Sequence, residues 1–213
     1  MVKKYIVMAG NIGVGKSTLT RMIAEQLGWE PFFEPSEANP YLSDFYADMP
    51  RWAFQSQIFF LSRRLRLHRQ LAEHPKTVLQ DRSVYEDAEI FAKNLHRQRQ
   101  MSERDYRCYR ELYEVLIEFL PPPDLVVYLR ADVETLRKRI GQRGRGYEQS
   151  IPADYLERLN ALYEEWASSF SLCPMLTVPA HDLDFVKHPT HFAVIVTKIQ
   201  EKLLGKEIVS FES

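Results

Sequence analysis

Eight consecutive residues near the start of the chain restrict its fold more than any other feature. Gly10-Asn11-Ile12-Gly13-Val14-Gly15-Lys16-Ser17 has the form G-x-x-x-x-G-K-[ST], and it sits between a β-prone run at 3–9 and a helical pattern at 18–27. The reading is strand, loop, helix. In that order the pattern makes an anion site: glycines let backbone N–H groups close around phosphate oxygens, and the helix N-terminus adds partial positive charge. Lys16 reaches the outer phosphates, and the Ser17 hydroxyl can ligate Mg²⁺. A functionless Gly-rich turn would match by chance in roughly one chain in a hundred of this length. The strand before it and the helix after it argue against that.

Four more short apolar runs, at 30–33, 77–80, 125–129 and 175–178, read as buried strands. Helical patterns separate them. Phe54, Ile58, Leu61 and Leu65 repeat at helical spacing across 52–72, and Ser102 with Asp105 resembles a capping box opening a helix that stops at Pro121-Pro122-Pro123. Another helix starts near Pro152 and carries Tyr155, Leu159, Leu162 and Trp166, and the last spans 189–204. Alternating strands and helices predict an α/β fold, a doubly wound five-stranded parallel sheet covered on both faces, in a single domain over 1–213. The 45% hydrophobic and 27% charged residues suit such a core, and 28 Lys plus Arg against 29 Asp plus Glu leave a net charge of −1. No global basic field exists for a nucleic acid polymer, so any phosphate must be met locally. Cys108 and Cys173 lie too far apart for a zinc knuckle or a disulfide scaffold. No apolar run approaches the roughly 20 residues of a membrane span, and no room for a leader precedes Gly10, so the expected location is cytoplasmic.

Ligands of an open α/β sheet sit beyond the carboxyl ends of the strands. Three of those ends carry charge: the glycine loop, Glu34 after the second strand, and Asp81-Arg82 after the third. Glu34 or Asp81 could take a proton from a hydroxyl nucleophile while the other holds Mg²⁺, and Arg82 could steady the transferring group. An N-cap or a surface salt bridge would explain either carboxylate alone, but less readily both together. Arg137, Arg139, Arg143 and Arg145 cluster around Gly141, Gly144 and Gly146, and guanidinium forks match phosphate oxygens. They predict an arginine lid over phosphates, with a solvated basic face as the alternative. Gln57 and Arg64, seven apart, share one helix face, where an amide beside Phe54 and Phe60 could read a base edge. The six histidines show no ligand spacing. Tyr106, Tyr109, Tyr113, Leu116 and Ile117 give one helix more aromatic surface than a covering layer requires, which suits either a core or a second copy.

Taken in order, Gly10 to Ser17, Glu34-Pro35, Arg51-Trp52 with Gln57, Asp81-Arg82-Ser83 with Asp87, and Arg139-x-x-x-Arg143-Gly144-Arg145-x-x-Glu148 resemble the deoxynucleoside kinases. The bacterial deoxyadenosine/deoxyguanosine kinases are the most similar, and the resemblance runs over 3–185. It implies the fold of the P-loop nucleoside and nucleotide kinases, with a lid at about 139–148, and transfer of phosphoryl from ATP·Mg²⁺ to the 5′-hydroxyl of a deoxynucleoside, purines first. The donor would lie on Gly10 to Ser17 with Thr18, under Arg139, Arg143 and Arg145, its adenine beside Asp184-Phe185. Glu34 and Arg82 would meet the 5′-hydroxyl, and Tyr46 with Glu148 the sugar 3′-hydroxyl. Gln57 and Asp87 would hold the base, with Arg64 as a third reader, and Ser17 with Asp81 would hold the metal. A homodimer is also implied. Many animal members have Glu-Arg-Ser where this chain has Asp81-Arg82-Ser83, which leaves the choice of proton acceptor between Glu34 and Asp81 open.

Two other classes share the loop. A thymidylate-type monophosphate kinase must neutralise an acceptor phosphate, whereas Gln57, Asp87 and Glu148 suit an uncharged nucleoside. A nucleotide-dependent switch would leave those residues without work, and the chain has no Asn-Lys-x-Asp guanine reader.

Overall fold

The first predicted strand becomes the centre of the molecule. β1 (Tyr5–Gly10) carries Ile6, Val7, Met8 and Ala9, all without exposed surface, because strands pair with it on both sides. The computed structural model describes residues 2–33, 38–144 and 151–205, and within them five strands form one sheet in the order β2-β3-β1-β4-β5. The others are β2 (Glu30–Phe32), β3 (Val78–Asp81), β4 (Leu125–Arg130) and β5 (Met175–Pro179). All four pairings are parallel, with Met8 opposite Asp81 and Val127, and Val126 opposite Met175. Each expected strand is present within a residue or two of its expected limits. From β1 the chain moves out to β2, returns through β3, and crosses β1 to reach β4. The carboxyl ends of β1 and β3 therefore flank the reversal, where an open sheet leaves its crevice.

The helices follow from their caps. α1 (Lys16–Leu27) starts directly from the glycine loop, and α2 (Leu42–Ala47) leads to α3 (Met49–Glu73). α3 opens earlier than its apolar spacing predicts, because the Asp48 side chain accepts the Arg51 N–H at 3.2 Å and a proline occupies the first turn. α4 (Val84–Glu86), a π-helical turn (Asp87–Ala92) and α5 (Lys93–Arg97) make one continuous helical run. In α6 (Glu103–Ile117) the Ser102 hydroxyl accepts the Asp105 N–H at 3.1 Å, as its sequence predicts. α7 (Val133–Arg143) is capped by Asp132, and α8 (Ala153–Ser169) and α9 (Pro189–Leu204) complete the set. Tyr109 and Tyr113 of α6 belong to the core, which answers part of the aromatic excess. The apolar side chains left exposed there are Leu112 and Val115 of α6 and Phe119 just past its end. Among the described residues no helix is long and apolar enough to cross a membrane.

α5 is locked to α8 by one carboxylate. Glu165 accepts from Lys93 Nζ at 2.6 Å and from both terminal nitrogens of Arg97 at 2.9 and 3.2 Å. Those hydrogen bonds, Arg97's first, push its carboxyl from the ordinary 4.5 down to about 2. A depressed carboxyl stabilises the folded state above the unfolded value and loses that contribution as pH falls through the folded one. The gap in Tm between wild type and Glu165→Gln is therefore expected to be full at pH 7, to narrow below 4.5 and to close toward about 2, as followed by thermal unfolding across that range.

Candidate active site

Beyond Gly10 the backbone can no longer pair with the sheet, and its shape is set by close approaches. Gly13 has φ of 80°, and a Cβ there would stand 2.6 Å from Ile140 Cγ1 and 3.0 Å from the Leu136 carbonyl of α7. Only a glycine fits without moving α7. The Asn11 amide donates to the Leu156 carbonyl at 3.0 Å and to Asn160 Oδ1 at 2.7 Å, so α8 grips the loop from the other side. Arg139 donates to the Val14 carbonyl and to the Ala180 carbonyl, each at 2.8 Å, and burial lowers its pKa. The guanidinium expected in a lid thus also moors the phosphate loop. Lys16 is buried, its Nζ donating to Gly10 O at 2.7 Å and Asn11 O at 3.0 Å.

In front of this loop lies a cavity of about 500 Å³. Gly15, Lys16, Ser17 and Thr18 line one wall, Arg139 and Arg143 another, and Asp184 and Phe185 a third. Arg139 and Arg143, four apart, both lie within α7 and so share a face of it. Phe185 packs so near Gly15 that a Cβ there would lie 3.1 Å from its ring. The Lys187 N–H, 3.0 Å from Asp184 Oδ1, holds the Asp184 carboxyl below its usual value. Backbone amides, Lys16 and two guanidiniums facing one cavity suit a polyphosphate.

The second half of the site adjoins it at the end of β3. The Ser17 hydroxyl donates to Asp81 Oδ2, joining the two halves. Arg82 adopts φ of 66°, its N–H reaches the Met8 carbonyl at 3.0 Å, and its guanidinium stands 4.3 Å from the centre of the Phe91 ring. From α3, Arg64 donates through Nε to Asp87 Oδ2 at 2.9 Å and through Nη1 to the Arg82 carbonyl at 2.8 Å. Gln57 lies on the same buried face, and its Oε1 has no hydrogen-bond partner among the described residues. Tyr46 of α2 is half-buried with its ring 5.2 Å from that of Phe45. Glu34, Arg145 and Glu148 lie outside the described residues. Among the residues that are described, Arg64 joins Asp81, Arg82 and Asp87 by hydrogen bonds at the end of β3, Ser17 links them to the phosphate cavity, and Gln57 lies about two turns from Arg64 on the buried face of α3.

Sequence reasoning missed Phe91, Asn160, Tyr163 and Glu86. Glu86 is fully buried between the Gly10 N–H and the Ser83 N–H, with the Tyr163 hydroxyl 2.8 Å from its Oε1. Burial, then the Glu86 charge, raises the Tyr163 pKa well above the ordinary value. The signal for Glu86 was present as Ser83-x-x-Glu86, a capping box. Phe91 had none, since its direction depends on the π-helical turn.

A family model described as deoxynucleoside kinase matches residues 6–204. The chain belongs to the deoxynucleoside kinase family. It is 40% identical over 196 residues to a deoxyadenosine/deoxycytidine kinase of Bacillus subtilis, covering 91% of this chain and 90% of that one. A deoxyadenosine kinase of Lactobacillus acidophilus is 35% identical over 209 residues, covering 94% and 96% of the two chains. A solved deoxyadenosine kinase from M. mycoides with bound dATP superposes with a TM-score of 0.83 at 33% identity, covering 93% of this chain and all of that one. The protein is a kinase that phosphorylates deoxynucleosides, and the neutral acceptor prevails over the acceptor phosphate of a monophosphate kinase.

Because Arg139 holds the phosphate loop to the segment after β5, Arg139→Ala is expected to raise the KM for the phosphoryl donor about tenfold or more while the nucleoside KM moves less than about threefold. Steady-state kinetics with each substrate varied in turn measure the contrast.

Proposed function

We infer that the chain transfers the γ-phosphoryl group of ATP to the 5′-hydroxyl of a deoxynucleoside, with Mg²⁺ as the metal and deoxyadenosine as the preferred acceptor. The observation that carries this is the Ser17 to Asp81 contact, which ties the phosphate loop to the end of β3, where Arg64 of α3 also donates to the Asp81 and Arg82 carbonyls. Phosphoryl transfer asks for position and charge neutralisation rather than covalent help. A hydroxyl and a carboxylate side by side against a phosphate loop are hard oxygen donors that fit Mg²⁺, so Ser17 and Asp81 would hold it. When bound, the metal neutralises charge on the phosphates. Lys16 and Arg143 do the same from the protein side. Arg82, with its positive φ and its guanidinium over the Phe91 ring, would stand beside the reacting hydroxyl, and with Asp81 on the metal Glu34 would accept the proton.

The acceptor base meets Gln57 and the Arg64–Asp87 pair. An amide that accepts through Oε1 and donates through Nε2 matches an exocyclic amine beside a ring nitrogen, as adenine and cytosine present. Those are the two bases in the name of the Bacillus subtilis relative. Tyr46 with Glu148 is assigned to the sugar 3′-hydroxyl, Arg145 to the lid, and Asp184-Phe185 to the donor adenine. Exposed Leu112 and Val115 on α6, with Phe119 just past its end, support a homodimer through that helix. Two free cysteines, Cys108 and Cys173, suit a reducing compartment such as the cytoplasm.

A panel of deoxyadenosine, deoxyguanosine, deoxycytidine and thymidine with ATP·Mg²⁺ is expected to give the highest kcat/KM for deoxyadenosine; a thymidine maximum would overturn the base assignment. Arg82→Ala and Asp81→Ala should lower kcat by about 10²- to 10⁴-fold, with the nucleoside KM changing only a few-fold, since their interactions strengthen in the transition state. Gln57→Ala should leave turnover measurable but shift the ratio of specificity constants between deoxyadenosine and thymidine by about tenfold or more.

A further inference from the structure

β1 and β3 pair only as far as Met8 and Asp81, and the last contact past that register is the Arg82 N–H on the Met8 carbonyl. There the strands part. β1 continues into the phosphate loop, while β3 turns at Arg82 through a φ of 66°, a conformation uncommon for a residue with a Cβ. The donor half and the acceptor half therefore separate where the reaction needs them in register. One side chain crosses the gap. Glu86 Oε1 accepts the N–H of Gly10, the first residue of the loop, at 3.2 Å, and Oε2 accepts the N–H of Ser83, the residue after Arg82, at 2.9 Å.

We propose that Glu86 is a positioning residue for phosphoryl transfer, its carboxylate fixing the root of the phosphate loop against the root of the Asp81-Arg82-Ser83 segment. It has no exposed surface, so it cannot touch substrate. Helix capping accounts for only half of its contacts: a capping box requires Oε2 on Ser83, not Oε1 on a residue 76 positions upstream. Nor does packing explain it, because a buried carboxylate is costly unless its oxygens are satisfied, and an apolar side chain would fill the space without that cost. The Ser17 to Asp81 contact also bridges the halves, but both of its groups are assigned to the metal. Glu86 bridges backbone to backbone and is independent of any ligand.

The proposal rests on the transfer reaction inferred above, and steady-state kinetics with ATP·Mg²⁺ and deoxyadenosine test it alongside Tm. Glu86→Gln keeps the volume, but its amide accepts at one end only and must give up Gly10 or Ser83. The expected result is a kcat about 10- to 100-fold lower, with both KM values within about threefold of wild type, since misplacement by about 1 Å can cost that much. Ile199→Ala, a truncation in the core beneath α9, is expected to lower Tm at least as far and leave kcat within about twofold. Glu86→Asp keeps the charge and loses reach, so it should show the same kcat loss, and it decides the matter if the glutamine variant does not fold. A folded Glu86 variant with kcat within about threefold of wild type overturns the proposal, as does an equal kcat loss in Ile199→Ala. Failure of both Glu86 variants to fold overturns it as well, since Glu86 would then be a requirement of folding. Absence of turnover in the wild-type protein would overturn the functional reading and the proposal with it.

Discussion

A loop that binds phosphate must keep most of its N–H groups turned toward a ligand, so its own backbone hydrogen bonds, such as the Val14 N–H on the Asn11 carbonyl, hold only a small part of it. Its shape has to come from outside. Here that support arrives from three directions: α7 through Ile140 against Gly13 and Arg139 on Val14, α8 through Asn160 and the Leu156 carbonyl on Asn11, and the segment after β3 through Glu86 on Gly10. α7 and α8 are the two helices that flank the residues expected to form the lid. A change in the lid's stems is therefore felt by the phosphate loop directly, without passing through the sheet.

The same requirement explains why so much charge is buried at one end of the sheet. Lys16, Arg64, Asp81, Arg82, Glu86 and Asp87 are all nearly or fully covered. Uncompensated, each would cost several kcal/mol. They are compensated in a chain, Arg64 on Asp87 and on two carbonyls, Glu86 on two N–H groups, Lys16 on two carbonyls. Removing one member strands its partner, so substitutions here act together rather than additively. The core beneath is ordinary by contrast. Ile6, Val7, Val126 and Val127 fill the sheet's interior and tell nothing about chemistry.

That contrast decides what could be read from the sequence. The inner strands β1, β3 and β4 were legible because parallel strands buried on both faces are short continuous apolar runs, and the partly exposed edge strands β2 and β5 were legible as short apolar runs between helical patterns. The glycine loop was legible because its spacing is fixed by phosphate geometry. The stretch from Ser83 to Arg97 was not, because pattern reading assigns charged residues to a surface, and Glu86 and Asp87 are inside. α7 was hidden for the opposite reason: it is so rich in exposed charge that only Leu136 and Ile140 of its helix are buried. The alternative of a solvated basic face does not describe Arg139, which is half-buried and donates to the Val14 and Ala180 carbonyls. Tyr109 and Tyr113 suited either a core or a second copy and are core, while the exposed Leu112, Val115 and Phe119 drew no notice.

The proposed base site draws on fewer groups than the proposed phosphate site. The base site's members are Gln57, an amide that can turn end for end, and one ion pair, Arg64 with Asp87, whose arginine shares the buried face of α3 with Gln57. Amide reversal exchanges donor for acceptor at no cost to the fold, so this part of the site can be retuned by neighbours that never touch the phosphate loop. Relatives at 31% to 40% identity over most of this chain are named for deoxyadenosine, deoxycytidine or deoxyguanosine while sharing the family. Discrimination among bases by one or two hydrogen bonds is worth about 1–3 kcal/mol, whereas the phosphate site draws on backbone, helix terminus and several cations at once. Evolution of acceptor preference within one scaffold follows from that imbalance: the expensive half of the site is common to every substrate, and the cheap half carries the difference.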